Sequence, residues 1–253
     1  MARLWKNTAS ILIFITFLFL WEFATWFLEI PEYLLPSPIG SVDAFAARPI
    51  HFLESTWVTT VEAILGLLVG GSIAVLITII LYFYPSMENG TMSIAITLKT
   101  MPMIAIAPLL TIWLGFGILP KIIITSLVTF FPILINLLVG IRRVPTEWIE
   151  LTSVLGANKK AVFWLIHRYA VLTYLFAGLR VAVPLAFIGA VVAEWTGASG
   201  GLGRSMWISY ANLELPGMFA AIFLLTSVSA IGYYLVANIE QRVIFWEPVK
   251  EGE

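Results

Sequence analysis

The chain has 253 residues, of which 60% are hydrophobic and 11% charged, and its net charge is −1. A soluble domain is about half apolar and about a quarter charged, so lipid must be the solvent for much of this surface, and the charge balance offers nothing to nucleic acid. With no cysteine, disulfides, thiolate metal sites and cysteine nucleophiles are excluded, and His51 and His167 lie too far apart in sequence for a two-histidine metal motif.

A helix rising ~1.5 Å per residue crosses a ~30 Å hydrocarbon core in about 20 residues. The first stretch of that length follows Arg3 and Lys6 and covers residues 10–30. It lacks a small-residue cleavage site, so it reads as a retained membrane span and not as a signal peptide. Five more spans are expected at 57–84, 93–114, 122–141, 171–195 and 219–239, giving an all-α membrane protein of six helices. The breakers between them are Pro36-Ser-Pro38, residues 85–90, Gly115 with Gly117 and Pro120, Pro145, residues 197–203, and Pro216. Trp21, Trp26, Trp57, Trp113 and Trp195 fall near span ends, where interfacial aromatics gather.

An even number of spans puts both termini on one side. Of the 14 Lys and Arg residues, a cytoplasmic placement of the termini leaves nine inside: Arg3, Lys6, Arg142, Arg143, Lys159, Lys160, Arg168, Arg242 and Lys250. Arg48, Lys121 and Arg204 fall outside, while Lys99 and Arg180 fall within or near spans. The positive-inside rule therefore sets both termini in the cytoplasm. No span repeats another, so the inverted repeat common in secondary carriers is not evident.

The spans carry a few polar and helix-breaking residues. Pro102, Pro108, Pro132 and Pro184 each remove a helical hydrogen bond, which is tolerated beside protein or a water-filled cavity. Their placement in spans three to five points to a pathway there, with a structural kink as the other reading of each. Glu194 either faces a cavity or reaches the headgroups. Arg180 either snorkels to the inner interface or lines the path, Lys99 shares that ambiguity, and Glu22 reads as the partner of another helix. Gly66 and Gly70 signal close helix packing. The glycines of 200–203 lack the strand–helix context of a dinucleotide fingerprint.

The loop between spans four and five is patterned. Thr146 is placed to cap a short helix whose first turn holds Glu147 and Glu150. Trp148, Leu151, Thr152 and Leu155 follow at i, i+3, i+4 and i+7, giving a mostly apolar face on a helix too short to span anything. Gly156 is expected to stop it, Asn158-Lys-Lys160 to turn the chain, and a second segment to begin at Ala161. Such a face lies on lipid or docks a partner protein.

Glu150, Gly156 and Ala157, with Ile166 ten residues after the glycine, resemble the EAA loop of binding-protein-dependent ABC importer permeases. Leu151 and Thr152 stand where that motif usually has alanines, and Tyr169 where it usually has proline. Leu35-Pro-Ser-Pro38, Lys99-Thr-Met-Pro102 through Pro108-Leu-Leu, Trp113-Leu-Gly-Phe-Gly117 and Ala193-Glu194-Trp195 are similar, in order, to elements of the nitrate/sulfonate/taurine-type subfamily. This resemblance implies a Type I importer (MetI-like) permease fold, one transmembrane domain over residues 1–253 with a cytoplasmic coupling loop at about 143–169. It further implies a bacterial inner membrane location, a second and identical permease copy, two ABC ATPase subunits docked from the cytoplasm, and an extracytoplasmic binding protein. In that frame Glu150, Trp148, Leu151, Leu155, Gly156 and Ala157 couple to the ATPase, and Pro102, Pro108, Glu194 and Arg180 border the pathway.

The chain has no Gly-x-x-x-x-Gly-Lys-Ser/Thr run to cradle a nucleotide. ATP and Mg are therefore expected on the partner ATPase, with no cofactor on this chain and no enzymatic activity of its own. The expected cargo is a small polar or anionic solute, nitrate-, sulfonate- or taurine-like, or a vitamin precursor such as a thiamine pyrimidine. The stretch from Gly201 to Asn212 leans toward the pyrimidine branch. The competing reading is an ion- or proton-coupled secondary carrier, which leaves the patterned loop without a role.

Overall fold

The computed structural model describes residues 2–195 and 198–246, with side chains from residue 12 onward. Gly197, Lys250 and the side chains of Arg3 and Lys6 lie outside the described residues. Every regular element among those described is helical. The chain folds as two compact units, Met1–Val58 with Ser199–Thr226 and Thr59–Ala198 with Ser227–Glu253.

In the first unit, α1 (Ala2–Phe27) leads into α2 (Pro38–Ala47). The Leu-Pro-Ser-Pro run has a local physical reason. Ser37 is extended at the N-cap and its hydroxyl accepts from the Gly40 N–H at 3.0 Å, while Pro38 occupies the first turn, where a missing N–H costs nothing. Glu22 of α1 caps the same helix, its carboxylate accepting from the Ile39 N–H at 3.0 Å. The partner of Glu22 is thus a helix N-terminus, whose partial positive charge suits a carboxylate. Trp21 packs on Phe219 at 5.6 Å and on Phe223 at 6.0 Å, both at the start of α11 (Leu215–Val243). Arg48 pairs with Glu214, and α10 (Leu202–Ala211) brings Ser205 to His51 at 3.1 Å.

The second unit is built on α3 (Pro49–Phe83), α6 (Ile118–Arg142) and α9 (Arg168–Glu194). The most extensive helix pairing is α6 with α9, around the fully buried Ile133, Leu134, Leu137 and Ala182. The helices approach closely because small residues face each other. A Cβ on Gly66 would strike Thr125, one on Gly70 would strike the Ser126 carbonyl, and one on Gly178 would come within 3.1 Å of the Ile133 backbone. The packing role expected of Gly66 and Gly70 is therefore realised against α6.

Among the described residues, α3, α6, α11 and the run Lys159–Glu194 are long and apolar enough to cross a membrane. The third expected span is not one rod. It is divided into α4 (Glu88–Thr100) and α5 (Met103–Leu114), and the Pro85–Thr100 and Met103–Leu114 segments meet at 93°. The cause is local: Pro102 disfavours helical backbone at the preceding residue, and Met101 is extended at ψ 133°. In α1 the apolar part covers Leu12–Phe27.

Gly70→Val is expected to lower the thermal stability of the purified chain by about 1–3 kcal/mol, the usual cost of overpacking. Gly90→Ala, where a Cβ would meet nothing within 4 Å, should leave it unchanged.

Candidate functional site

The loop after α6 folds as α7 (Thr146–Val154), then α8 (Lys159–Val162), a π turn at Phe163–His167, and α9. Thr146 is not the cap: Pro145 holds the N-cap position with ψ 135°, and no side chain caps the helix. Proline fits there because it sets φ and needs no donor of its own. The C-terminal end obeys its sequence. Gly156 is left-handed at φ +79°; its N–H donates to the Ser153 carbonyl and that of Ala157 to the Thr152 carbonyl, both at 3.0 Å. This is a Schellman cap, which favours glycine at its left-handed position. Asn158 caps the next helix, its side-chain oxygen accepting from the Ala161 N–H at 2.9 Å, so that helix starts at Lys159 and not at Ala161.

The cap leaves α7 with two different faces. Trp148, Leu151, Val154 and Leu155 form one bare apolar stripe, with Val154 85% and Leu155 76% exposed. Val154 falls outside the i, i+3, i+4, i+7 pattern, yet it stands three residues after Leu151 and so on the adjoining ridge. Ile149, Ser153 and Ala157 instead wall a cavity of about 490 Å³, shared with Tyr82, Arg142 and His167. Glu150 is solvent-exposed. A second groove of about 580 Å³ is lined by Trp148, Ile166, Tyr169 and Trp246, and Trp246 meets the Tyr169 ring edge-on at 5.0 Å.

The π turn joins α8 and α9 into one continuous rod, Lys159–Glu194. Its two buried residues, Phe163 and His167, both reach Tyr82 on α3, at 4.9 and 4.8 Å. A π turn inserts an extra residue into the helical register, and such turns recur at functional positions. Here it contains Ile166, the last residue of the loop motif.

The charged residues of the spans find partners that sequence spacing could not supply. Arg180 forms an ion pair with Glu240 on α11 at 2.6 Å. Lys99 lies over the Phe131 ring at 4.5 Å, a cation–π contact. Glu194 is fully buried, 0% exposed, and accepts the Thr59 hydroxyl at 2.7 Å. Lys121, assigned to the outside by charge counting, is 9% exposed and bonds Glu62 of α3 at 2.5 Å. Sequence spacing gives Glu62 no role; a lone carboxylate within the otherwise apolar run 57–84 is the available signal. Pro102 stands at the N-cap of α5 and Pro108 within it. Pro132 lies inside α6, where the Asn136 amide donates to its carbonyl at 2.7 Å. No group of three metal-ligating side chains occurs among the described residues.

Residues 63–245 match the family model described as "Binding-protein-dependent transport system inner membrane component". The formylaminopyrimidine transport permease protein ThiX of Halalkalibacterium halodurans is 32% identical over 251 residues, covering 97% of this chain and 98% of that one. The putative aliphatic sulfonates transport permease protein SsuC of Bacillus subtilis is 28% identical over 229 residues, covering 87% and 80%. Among solved structures, an inward-facing native crystal form of the MetNI methionine ABC transporter superposes with a TM-score of 0.67 at 17% identity, over 78% of this chain and 98% of that chain. At that identity the likeness speaks for the fold alone.

Lys121→Met would leave the Glu62 carboxylate buried without its counter-charge. A broken buried pair costs roughly 3–5 kcal/mol, so the variant should unfold at a clearly lower temperature in detergent than the wild-type chain.

Proposed function

This chain belongs to the family of binding-protein-dependent transport system inner membrane components, and we propose that its α7 stripe is the surface through which a separate ABC ATPase drives it. It is a multi-pass permease subunit of an ABC importer in the inner membrane. The observation that carries the docking role is the bare face of Trp148, Leu151, Val154 and Leu155, on a helix whose end is fixed by the Gly156 cap. Trp148, Leu151 and Val154 are exposed on this nine-residue helix and Leu155 at its C-cap, an apolar patch of the kind that a partner protein covers.

The complete transporter would hold two permease copies, two ATPase subunits and an extracytoplasmic binding protein, with six spans per permease and both termini in the cytoplasm. ATP and Mg would act on the partner, and this chain would supply binding surface, pathway and lever. Closure of the ATPases would pull on α7, and the Schellman turn would pass the displacement to the continuous rod beyond it. A rod of that length reaches on the order of 50 Å at ~1.5 Å per residue, far enough to cross the bilayer. Only a difference in ATPase affinity between the inward- and outward-open forms lets nucleotide shift their balance. Pro102 and Pro108, on the broken third segment, would line the pathway. Arg180 and Glu194 would act on it from behind, fixing α9 through Glu240 and Thr59. The cargo is proposed to be a small polar or anionic solute, and kinship with a formylaminopyrimidine permease makes a pyrimidine vitamin precursor the first to try. An ion-coupled carrier is not favoured by this family membership.

The test is affinity capture of the ATPase by the tagged chain in lipid. Gly156→Asp adds a side chain at φ +79° and a charge at the docking edge. It should insert normally yet lose ATPase capture and at least ten-fold of ATP-dependent uptake, and Val154→Asp should do the same without touching the turn. Uptake by Gly156→Asp equal to that of the wild type would defeat the assignment.

A further inference from the structure

The end of α3 is completed by a residue of another helix. A helix leaves its last carbonyls without intrahelical partners, and a cation placed there also suits the helix dipole. The last turn of α3 holds no basic side chain of its own. Lys159, the first residue of α8, supplies one: its ammonium donates to the Phe83 carbonyl at 3.0 Å. The same ammonium stands over the Tyr82 ring at 5.3 Å and the Phe83 ring at 5.8 Å, within cation–π reach. The contact is returned. The Tyr82 hydroxyl donates to the Lys159 carbonyl at 3.2 Å, so the main chain of Lys159 is held as well as its side chain.

Phe163 and His167 follow Lys159 at steps of four and press on the same end of α3. Phe163 lies 4.9 Å from Tyr82 and 6.1 Å from Phe83, and His167 lies 4.8 Å from Tyr82. In a plain α-helix every fourth residue drifts around the axis, because a turn takes 3.6 residues. The wider π turn over Phe163–His167 takes up that drift, which keeps all three residues on the side facing α3.

We propose that Lys159 is a positioning residue that clamps the end of α3 to the coupling loop, so that the ATPase moves α3 together with α9. This rests on the docking role proposed for α7, and it adds a second driven span to the rod that continues from the loop. Lys159 stands three residues after Gly156, between the cap that ends α7 and the body of α9. Motion of α7 therefore reaches the end of α3 before it travels along α9. Because α3 lies close against α6 at Gly66 and Gly70, a displaced α3 carries that packing with it. Lys159 is exposed and lies off the apolar stripe of α7, so substituting it separates clamping from both folding and docking. Lys160, exposed beside it, is the control of equal charge.

The experiment is hydrogen–deuterium exchange of the chain in lipid, alone and with its ATPase, with and without ATP and vanadate. In the chain alone, Lys159→Met should speed exchange of the last-turn amides of α3 by about two- to five-fold, the equivalent of a lost cation at a helix end. Lys160→Met and Lys159→Arg should match the wild type. In the assembled transporter, ATP with vanadate should alter exchange in both α3 and α9 of the wild type. Lys159→Met should still capture the ATPase and keep the α9 response while losing that of α3, and Lys159→Arg should restore it. An α3 response that persists in Lys159→Met would overturn the proposal, as would unchanged exchange of that variant alone. Loss of ATPase capture by Lys159→Met would make the residue part of the docking surface and likewise overturn it. Wild-type protein that captures no ATPase would overturn the docking reading itself, and this inference with it.

Discussion

The hydrocarbon interior of a bilayer offers a backbone N–H no partner, and the rest of this structure follows from that constraint. Every regular element among the described residues is a helix because only a helix satisfies its own backbone over such lengths. Where the helix must fail, the failure is placed and compensated. At Met101-Pro102 the chain breaks between two short helices, and at 163–167 it widens into a π turn without ending. Outside the core, at Gly156, the turn satisfies the last carbonyls of α7 with its own N–H groups.

Side chains meet the same constraint by pairing. Lys121 with Glu62, Arg180 with Glu240 and Lys99 with Phe131 each give a cation a partner beside apolar surface. These contacts join different helices, so they position the rods as well as satisfy the charges. Small residues then set the distance: α3 and α6 come close because Gly66 and Gly70 present no Cβ to Thr125 and Ser126. Helix α7 keeps the apolar stripe of Trp148, Leu151, Val154 and Leu155 uncovered within the chain, and the docking role proposed for it rests on that stripe.

Local physics is legible in the sequence and long-range geometry is not. Gly156 reads as a helix stop because a left-handed residue after a short amphipathic run is a nearest-neighbour property. Ser37 and Pro38 read only as breakers between spans, although the capping chemistry that starts α2 lies within four residues. Pro102 announces a disturbance, but proline chemistry alone does not separate a kink from a 93° break; neighbouring packing decides that. Thr146 misleads as the cap of α7 because a threonine favours the N-cap intrinsically, whereas the proline before it already holds the extended backbone that the position requires. Lys121 and Glu62 are 59 residues apart, and nothing in either neighbourhood names the other. Counting charges puts Lys121 on the outer surface, while the fold buries it against a carboxylate. Val154 escapes the pattern because strict i, i+3, i+4, i+7 spacing describes a narrower stripe than a partner can cover.

The central claim is that this chain moves solute only when a docked ATPase acts on α7. The most direct measurement is solute uptake into vesicles holding the chain with its ATPase and binding protein, with ATP supplied and ion gradients collapsed, against the reverse condition. The account predicts uptake that requires ATP and all three components and is indifferent to the gradients. Uptake by the chain alone, driven by an ion gradient without ATP, would contradict it.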